Sequence, residues 1–336
     1  MEESYPAHEI VVIGASAGGV EVLSELVAGL PGNLPAAVFV CLHVAASAES
    51  FLPRILSRAG AIPAVHASHG APITSGTIYV APPDHHVVIE PGVVTLSRGP
   101  RENRCRPSVD VLFRSAAIAY GPRVNGVVLS GYLDDGAAGL LAIERCGGLV
   151  VIQDPEDSRS GGMPRAALEV VEPDAIVTTA TVGGVLAELV RRPATMTGPR
   201  PGVAQTRLEV DSSQDSPAAA REAIQVGQAS GISCPECGGS LFGLKDGPLT
   251  RFRCHVGHAY SPASLLEAQS EETEKALWAA LRALEERSAL LLDMSRQMAV
   301  RGSPTATQYA DRSAEFHQHA VLLRALLGEA GERRQA

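Results

Sequence analysis

With 336 residues, 45% of them hydrophobic and only 4% aromatic, the chain can fill two domains, or one large domain and an appendage, with Val, Leu, Ala and Ile. A formal net charge of −9 argues against general nucleic-acid binding, which needs a basic face, and no apolar run reaches membrane-span length. The opening MEESYPAHE is acidic and polar, unlike a secretory signal, so the expectation is a cytoplasmic protein with reduced thiols and no membrane insertion.

The first strand is expected over 10–14, with a helix over 18–29. Between them lies Gly14-Ala15-Ser16-Ala17-Gly18-Gly19, a G-x-S-x-G turn that can expose one serine hydroxyl at the carboxyl edge of a parallel sheet. The backbone N–H of Ala17 would then sit at a helix N-terminus, where it can stabilise an oxyanion. A dinucleotide-binding loop is the competing reading, but that pattern wants Gly where Ser16 stands. The next strand, 36–42, ends at His43. Neighbouring carboxyl ends in a doubly wound sheet would bring His43 to Ser16 as its base. A core histidine bonded to backbone is the bland alternative.

A helix is expected over 48–59 and strands over 77–81 and 86–90, and the stretch 86–97 around Pro91-Gly92 reads as a hairpin. Ser108 is a good cap for a helix over 108–120. The run 125–130 reads as a buried central strand, and Gly131-Tyr132-Leu133-Asp134-Asp135-Gly136 follows it before a helix over 136–146. An acid there can orient an imidazole or cap the helix, and Asp134 and Asp135 can divide these tasks. Strands over 149–153 and 175–178 and a helix over 181–192 complete an α/β pattern: a doubly wound, mostly parallel sheet carrying an antiparallel hairpin.

The composition changes at 196–228, rich in Pro, Gly, Ser and Thr, which reads as a partly disordered linker after a domain over 1–195. In 229–262, Cys234-Pro235-Glu236-Cys237 is followed by Cys254-His255-Val256-Gly257-His258. Two knuckles of this spacing suit structural zinc held by Cys234, Cys237, Cys254 and His258, with His255 a rival. Leu277, Leu281, Leu284, Ala289 and Leu292 fall at helical spacing. Gly302-Ser303-Pro304 breaks the run, so 263–336 reads as a helical hairpin with Ser303 as an N-cap. Such a hairpin suits a platform for a regulatory protein.

Residues 9–190 closely resemble the catalytic domain of the CheB family, the chemotaxis protein-glutamate methylesterases. The resemblance rests on an ordered set of blocks: VVIGASAGG, CLHV, IYVAPPDHHV, RPSVDVLFRSAA, LSGYLDDGAAGL and QDPEDSRSGGMPRAAL. It implies Ser16 as nucleophile, His43 as general base and Asp135 as orienting acid, with no cofactor for catalysis. It also implies a cleft that Ala17, Gly18, His86, Arg106, Tyr132 and Met163 line or adjoin. The cationic neighbours Arg101, Arg104 and Arg106 can face an acidic receptor surface, with a solvated loop as the bland and, for any single arginine, favoured alternative. The implied reaction is hydrolysis of glutamate methyl esters on a methylated chemoreceptor, with glutamine deamidation as a second activity. The chain departs from the family pattern in the bulky Tyr132-Leu133, in Ala17 where a threonine is common, and in leaving no room for a receiver domain ahead of residue 9. These departures keep a second expectation open, a catalytically weak scaffold that works through its zinc and helical tail.

Overall fold

Alternate residues of the first buried strand supply opposite cores: Ile10 and Val12 join one apolar cluster, Val11, Ile13 and Ala15 the other. A strand buried on both faces needs helices on both sides. The computed structural model, which describes residues 4–5, 9–195, 203–214, 221–222, 225 and 227–333, has that arrangement. Its first elements are β1 (Ser4–Tyr5), β2 (Ile10–Ala15), α1 (Gly19–Ala28), β3 (Ala37–Leu42), α2 (Leu52–Ala59), β4 (Ala64–His66) and β5 (Ile78–Val80). The hairpin β6 (His86–Glu90) and β7 (Val93–Ser97) precedes α3 (Val109–Tyr120), β8 (Val124–Val128), α4 (Ala137–Arg145) and β9 (Leu149–Gln153). Then come α5 (Gly162–Leu168), β10 (Ala175–Val177), α6 (Val182–Leu189) and β11 (Ala194–Thr195), the last paired with β1.

Seven strands form one parallel sheet in the order β10-β9-β8-β2-β3-β5-β4. The chain leaves β2 toward β3 on one side and returns to β8 on the other. The carboxyl end of β2 is therefore the switch point, where a crevice opens between diverging loops. The sheet agrees with the sequence reading, and β6 and β7 form the expected separate hairpin. Two short elements, β4 and α5, carry too few residues to show a period.

The expected linker 196–228 is in part a helix, α7 (Val203–Ser213). Its own sequence lacks an apolar stripe. What holds it is tertiary: Val210 packs with Val88 and Val111, Ser97 Oγ donates to the Ser213 carbonyl at 2.7 Å, and Glu209 enters a buried ion cluster. The rest of that linker lies largely outside the described residues.

The cysteine-bearing segment is an antiparallel ribbon of β12 (Gln228–Ser233), β13 (Ser240–Asp246), β14 (Leu249–Cys254) and β15 (Ala259–Tyr260). It is no separate domain. The chain divides into two compact units at Leu265/Leu266, which puts the ribbon with the α/β sheet. The reason is electrostatic. Arg251 and Arg253 of β14, Arg114 of α3, Glu102 and Glu209 form a cluster in which every side chain is at most 4% exposed. Arg253 Nη2 donates to Glu102 Oε1 at 2.9 Å and Arg251 Nη2 to Glu102 Oε2 at 3.2 Å, while Arg114 pairs with both glutamates. Burial alone would raise the Glu102 pKa, but the three guanidiniums hold it well below the usual range.

The second unit is a pair of antiparallel helices, from the long helix Pro262–Val300 and from Thr305–Arg333. Leu281, Ala320 and Leu327 form its apolar seam. Ser288 and Ser313 donate to each other's carbonyls at 3.0 and 2.8 Å. The break falls where expected, with Gly302 at φ 65°. Among the described residues no helix is long and apolar enough to cross a membrane.

Candidate active site and metal centre

Ser16 follows the last residue of β2, and Gly18 at φ 77° turns the chain into α1, a conformation that favours glycine. The Ser16 N–H donates to the Ser130 carbonyl at 2.9 Å, and Gly19 N–H returns to the Ser16 carbonyl at 2.9 Å. Ser130 Oγ donates to the Ala17 carbonyl at 2.6 Å. The N–H groups of Ala17 and Gly18 take no backbone partner among the described residues. Beside them Gly131 is pressed between two neighbours. A Cβ there would fall 2.1 Å from Met163 Sδ and 2.9 Å from Ser16 Cβ. Met163, 1% exposed, thus lies against Gly131 beside the serine turn. Tyr132 is 69% exposed and stands at the rim.

His43 follows β3, with its N–H on the Ala15 carbonyl at 3.2 Å. Its Nε2 is 2.8 Å from Asp135 Oδ2. Asp135, 3% exposed, caps the wrong helix by the sequence's logic. It precedes α4 but takes the N-terminal groups of α3: Val109 N–H at 2.8 Å, Asp110 N–H at 3.1 Å and Ser108 Oγ at 2.9 Å. Asp110 reciprocates by accepting Gly136 and Gly139 N–H of α4 at 3.0 and 2.7 Å. Burial opposes the Asp135 charge, but the His43 hydrogen bond and charge and the donors around it hold its pKa below the usual value. Asp110, buried beside that carboxylate, is pushed up to about 7.

The His43 ring has a second neighbour that the sequence reading missed. Cys105 Sγ lies within 4.8 Å of the His43 and Asp135 ligand atoms. Burial disfavours the imidazolium, but the pull of Cys105 and Asp135 outweighs it and pushes the His43 pKa up from 6.5 to about 10. A raised imidazole pKa adds stability that is complete below about 6.5 and lost as pH rises through about 10. A base must be neutral, so activity should rise with pH over the same window. Cys105→Ser is expected to move that rise toward pH 6.5 and to increase the rate near neutrality. A pH–rate profile of kcat/KM for both proteins checks this, and superimposable acid limbs would refute it.

Two expected cleft residues are placed differently. His86 is 0% exposed: Nδ1 accepts from Ser108 N–H at 3.2 Å and Nε2 donates to the Pro100 carbonyl at 3.0 Å. Burial drives its pKa down to about 4, so it is a neutral strut. Arg106 binds Asp84 Oδ1 through Nε and Nη2 at 2.9 and 2.7 Å and the carbonyls of Arg98 and Gly99 through Nη1. It ties loops together and does not present a free cation. A histidine and an arginine beside a site look alike in sequence whether they face in or out.

In the ribbon, Cys234 Sγ and Cys254 Sγ lie 3.7 and 3.6 Å from His258 Nδ1, and Cys237 Sγ lies 3.6 Å from Cys254 Sγ. A tetrahedral zinc with ordinary bond lengths needs edges of about 3.6–3.8 Å. His258 Nε2 meets Glu236 Oε2 at 3.3 Å, the carboxylate that a ligating imidazole commonly holds. His255 is outside this cluster and packs over Gly239. The four residues therefore fit zinc. The set His43, Cys105 and Asp135 is also close, but its 2.8 Å edge is a hydrogen bond.

A doubly wound α/β domain with a serine turn and a buried His–Asp pair at its switch point defines the class. The CheB methylesterase family model matches residues 11–186. The protein-glutamate methylesterase/protein-glutamine glutaminase 2 of Anaeromyxobacter dehalogenans is 39% identical over 183 residues, 54% of this chain and 54% of that protein. A putative protein-glutamate methylesterase/protein-glutamine glutaminase of Leptospira interrogans is 37% identical over 172 residues, 51% of this chain and 89% of that protein. The crystal structure of the Thermotoga maritima CheB methylesterase catalytic domain aligns with TM-score 0.53 and 30% identity, covering 55% of this chain and all of that one. The chain belongs to the CheB methylesterase family. It spans about half the length of the Anaeromyxobacter relative, and the matched region stops ahead of the ribbon and helices.

Proposed function

We propose that the protein is a carboxylic ester hydrolase that removes methyl groups from glutamate side chains of chemoreceptor-type proteins. The observation that carries this reading is the His43–Asp135 pair, bonded at 2.8 Å at the strand end beside the Ser16 turn. His43 takes the Ser16 proton as Oγ attacks the ester carbonyl, and Asp135 stabilises the imidazolium that forms. The N–H groups of Ala17 and Gly18 receive the oxyanion. His43 returns the proton to methanol, and water then hydrolyses the acyl-enzyme by the same route. A glutamine side chain would react likewise with ammonia as leaving group, in keeping with the names of the relatives. The test is methanol release from a methyl-esterified receptor cytoplasmic fragment. Enzyme-dependent release supports the reading, and a rate equal to buffer alone defeats it.

Cys234, Cys237, Cys254 and His258 would hold a structural zinc, which supplies cross-linking of the two knuckles and no reaction step. The purified chain is expected to carry one zinc per molecule, and Cys254→Ser to lose it and unfold at lower temperature. Metal analysis and a melting curve check this, and equal metal content in both proteins would overturn it.

A further inference from the structure

The strand that ends the ribbon reaches the active-site acid through one side chain. Ala259, next to His258, pairs with the loop before α3: Asn103 N–H donates to the Ala259 carbonyl at 2.8 Å and Ala259 N–H to the Arg101 carbonyl at 3.2 Å. The Asn103 side chain, on a residue 4% exposed, then faces two ways. Its Oδ1 accepts from Ser261 N–H at 3.0 Å and from Ser264 Oγ at 3.1 Å, where the ribbon passes into the long helix. Its Nδ2 donates to Asp135 Oδ1 at 3.0 Å and to Asp110 Oδ2 at 2.9 Å.

This geometry fixes which way the amide points. Two donors from the ribbon junction on Oδ1 and two carboxylates on Nδ2 satisfy both ends of one amide, and a flipped amide would set its NH2 against Ser261 N–H and its oxygen against the Asp135 carboxylate. Nδ2 also lies between two carboxylates that would otherwise repel each other in a buried space, so it neutralises part of that repulsion where His43 needs Asp135 ionised. The backbone of Asn103 at φ 49° suits asparagine better than most residues. Both Oδ1 donors, Ser261 and Ser264, lie outside the α/β sheet. Among the described residues they come from beyond the family match, which ends at 186.

We propose that Asn103 is a positioning residue that couples the ribbon–helix junction to the Asp135–His43 pair, so that the C-terminal ribbon holds the acid in register. The inference rests on reading Asp135 as the acid of the proposed esterase. Asn103 touches no reacting atom and acts through Asp135. The ribbon is thus an outer wall of the active site, and a partner that shifts the junction would change turnover through this amide, beside the bond from Ser261 Oγ to Asp134 Oδ1 at 2.8 Å.

The test uses the full chain, with kcat, KM and the His43 titration followed by nitrogen-15 NMR of labelled histidine. Asn103→Ala is expected to lower kcat by about 10²-fold, the scale of a small misplacement of a catalytic group, with KM little changed. Ser264→Ala, which removes one junction donor to Asn103 and with it the hydroxyl that accepts from Ser261 N–H at 2.9 Å, is expected to act in the same direction with a smaller effect. Both should shift the His43 titration relative to wild type, which a purely structural role, read as a lowered melting temperature with unchanged titration, would not do. A shift in Asn103→Ala with none in Ser264→Ala would overturn the coupling to the ribbon. Wild-type titration and kcat in both would overturn the proposal as a whole. Because the NMR readout needs no turnover, an inactive wild type whose His43 titration still moves in both variants would defeat the esterase reading and uphold the relay.

Discussion

Ser16→Ala should reduce methyl-ester hydrolysis by about 10³–10⁶-fold, the range for loss of a triad nucleophile, with binding of the receptor fragment retained. The size follows from the position of the hydroxyl. It sits on a turn whose neighbouring N–H groups, Ala17 and Gly18, take no backbone partner among the described residues. The substitution should cost the fold little. The Ser16 backbone bonds to Ser130 and Gly19 do not involve Oγ, and the Cβ that packs beside Gly131 is kept. The His43–Asp135 bond is likewise untouched. The comparison is sharpened by Cys105, a second nucleophilic atom near the same imidazole. If Ser16→Ala keeps wild-type turnover while Cys105→Ala abolishes it, the serine assignment is wrong and the thiol is the nucleophile.

Glu102→Ala is the change expected to damage stability most, by about 3–5 kcal/mol, the usual cost of stripping one partner from a buried charge cluster. Glu102 is 0% exposed and is bonded by Arg114, Arg251 and Arg253. Its removal leaves three guanidiniums against Glu209 alone, with Asp110 raised to about 7 and only partly charged near neutrality. The loss would also loosen the joint between β14, α3 and α7. Glu156→Ala, at a pair whose side chains are 59% and 83% exposed, is the control and should leave the unfolding midpoint unmoved, because exposed pairs contribute little. Urea unfolding of the three proteins decides the matter. Equal midpoints for Glu102→Ala and wild type would mean that the cluster is held by packing and not by its charges.

The α/β half was legible because each of its elements advertises itself locally. Runs such as Val38-Phe39-Val40 and Val127-Val128 are apolar on both faces, which only a covered parallel strand tolerates. The glycines around Ser16 mark a turn whatever surrounds it. The grouping of Cys234, Cys237, Cys254 and His258 was legible for the same reason, since such spacing is a property of short chain segments. What failed to show were partners far apart in sequence. Val203–Ser213 reads as linker until Val88, Val111 and the arginine cluster are present to receive it. His86 and Arg106 read as cleft residues until Ser108, Pro100 and Asp84 take up their polar atoms. Asn103, Cys105 and Asp110 left only the block RENRCRPSVD as a signal, with nothing in it to say which side chains turn inward.

By itself the sequence determined the alternation of strands and helices, the serine turn, the place of His43 after a buried strand and the two cysteine knuckles, because periodicity, glycine placement and spacing act over a few residues. Only the tertiary structure decided that Asp135 caps α3 and not its own helix, that β14 belongs to the same body as the sheet, and that Asn103 joins the ribbon to the acid. Those outcomes depend on satisfying buried charges and hydrogen bonds between segments as far apart as Asn103 and Ser264. A buried polar group must find a partner somewhere, but local sequence does not say where that partner is.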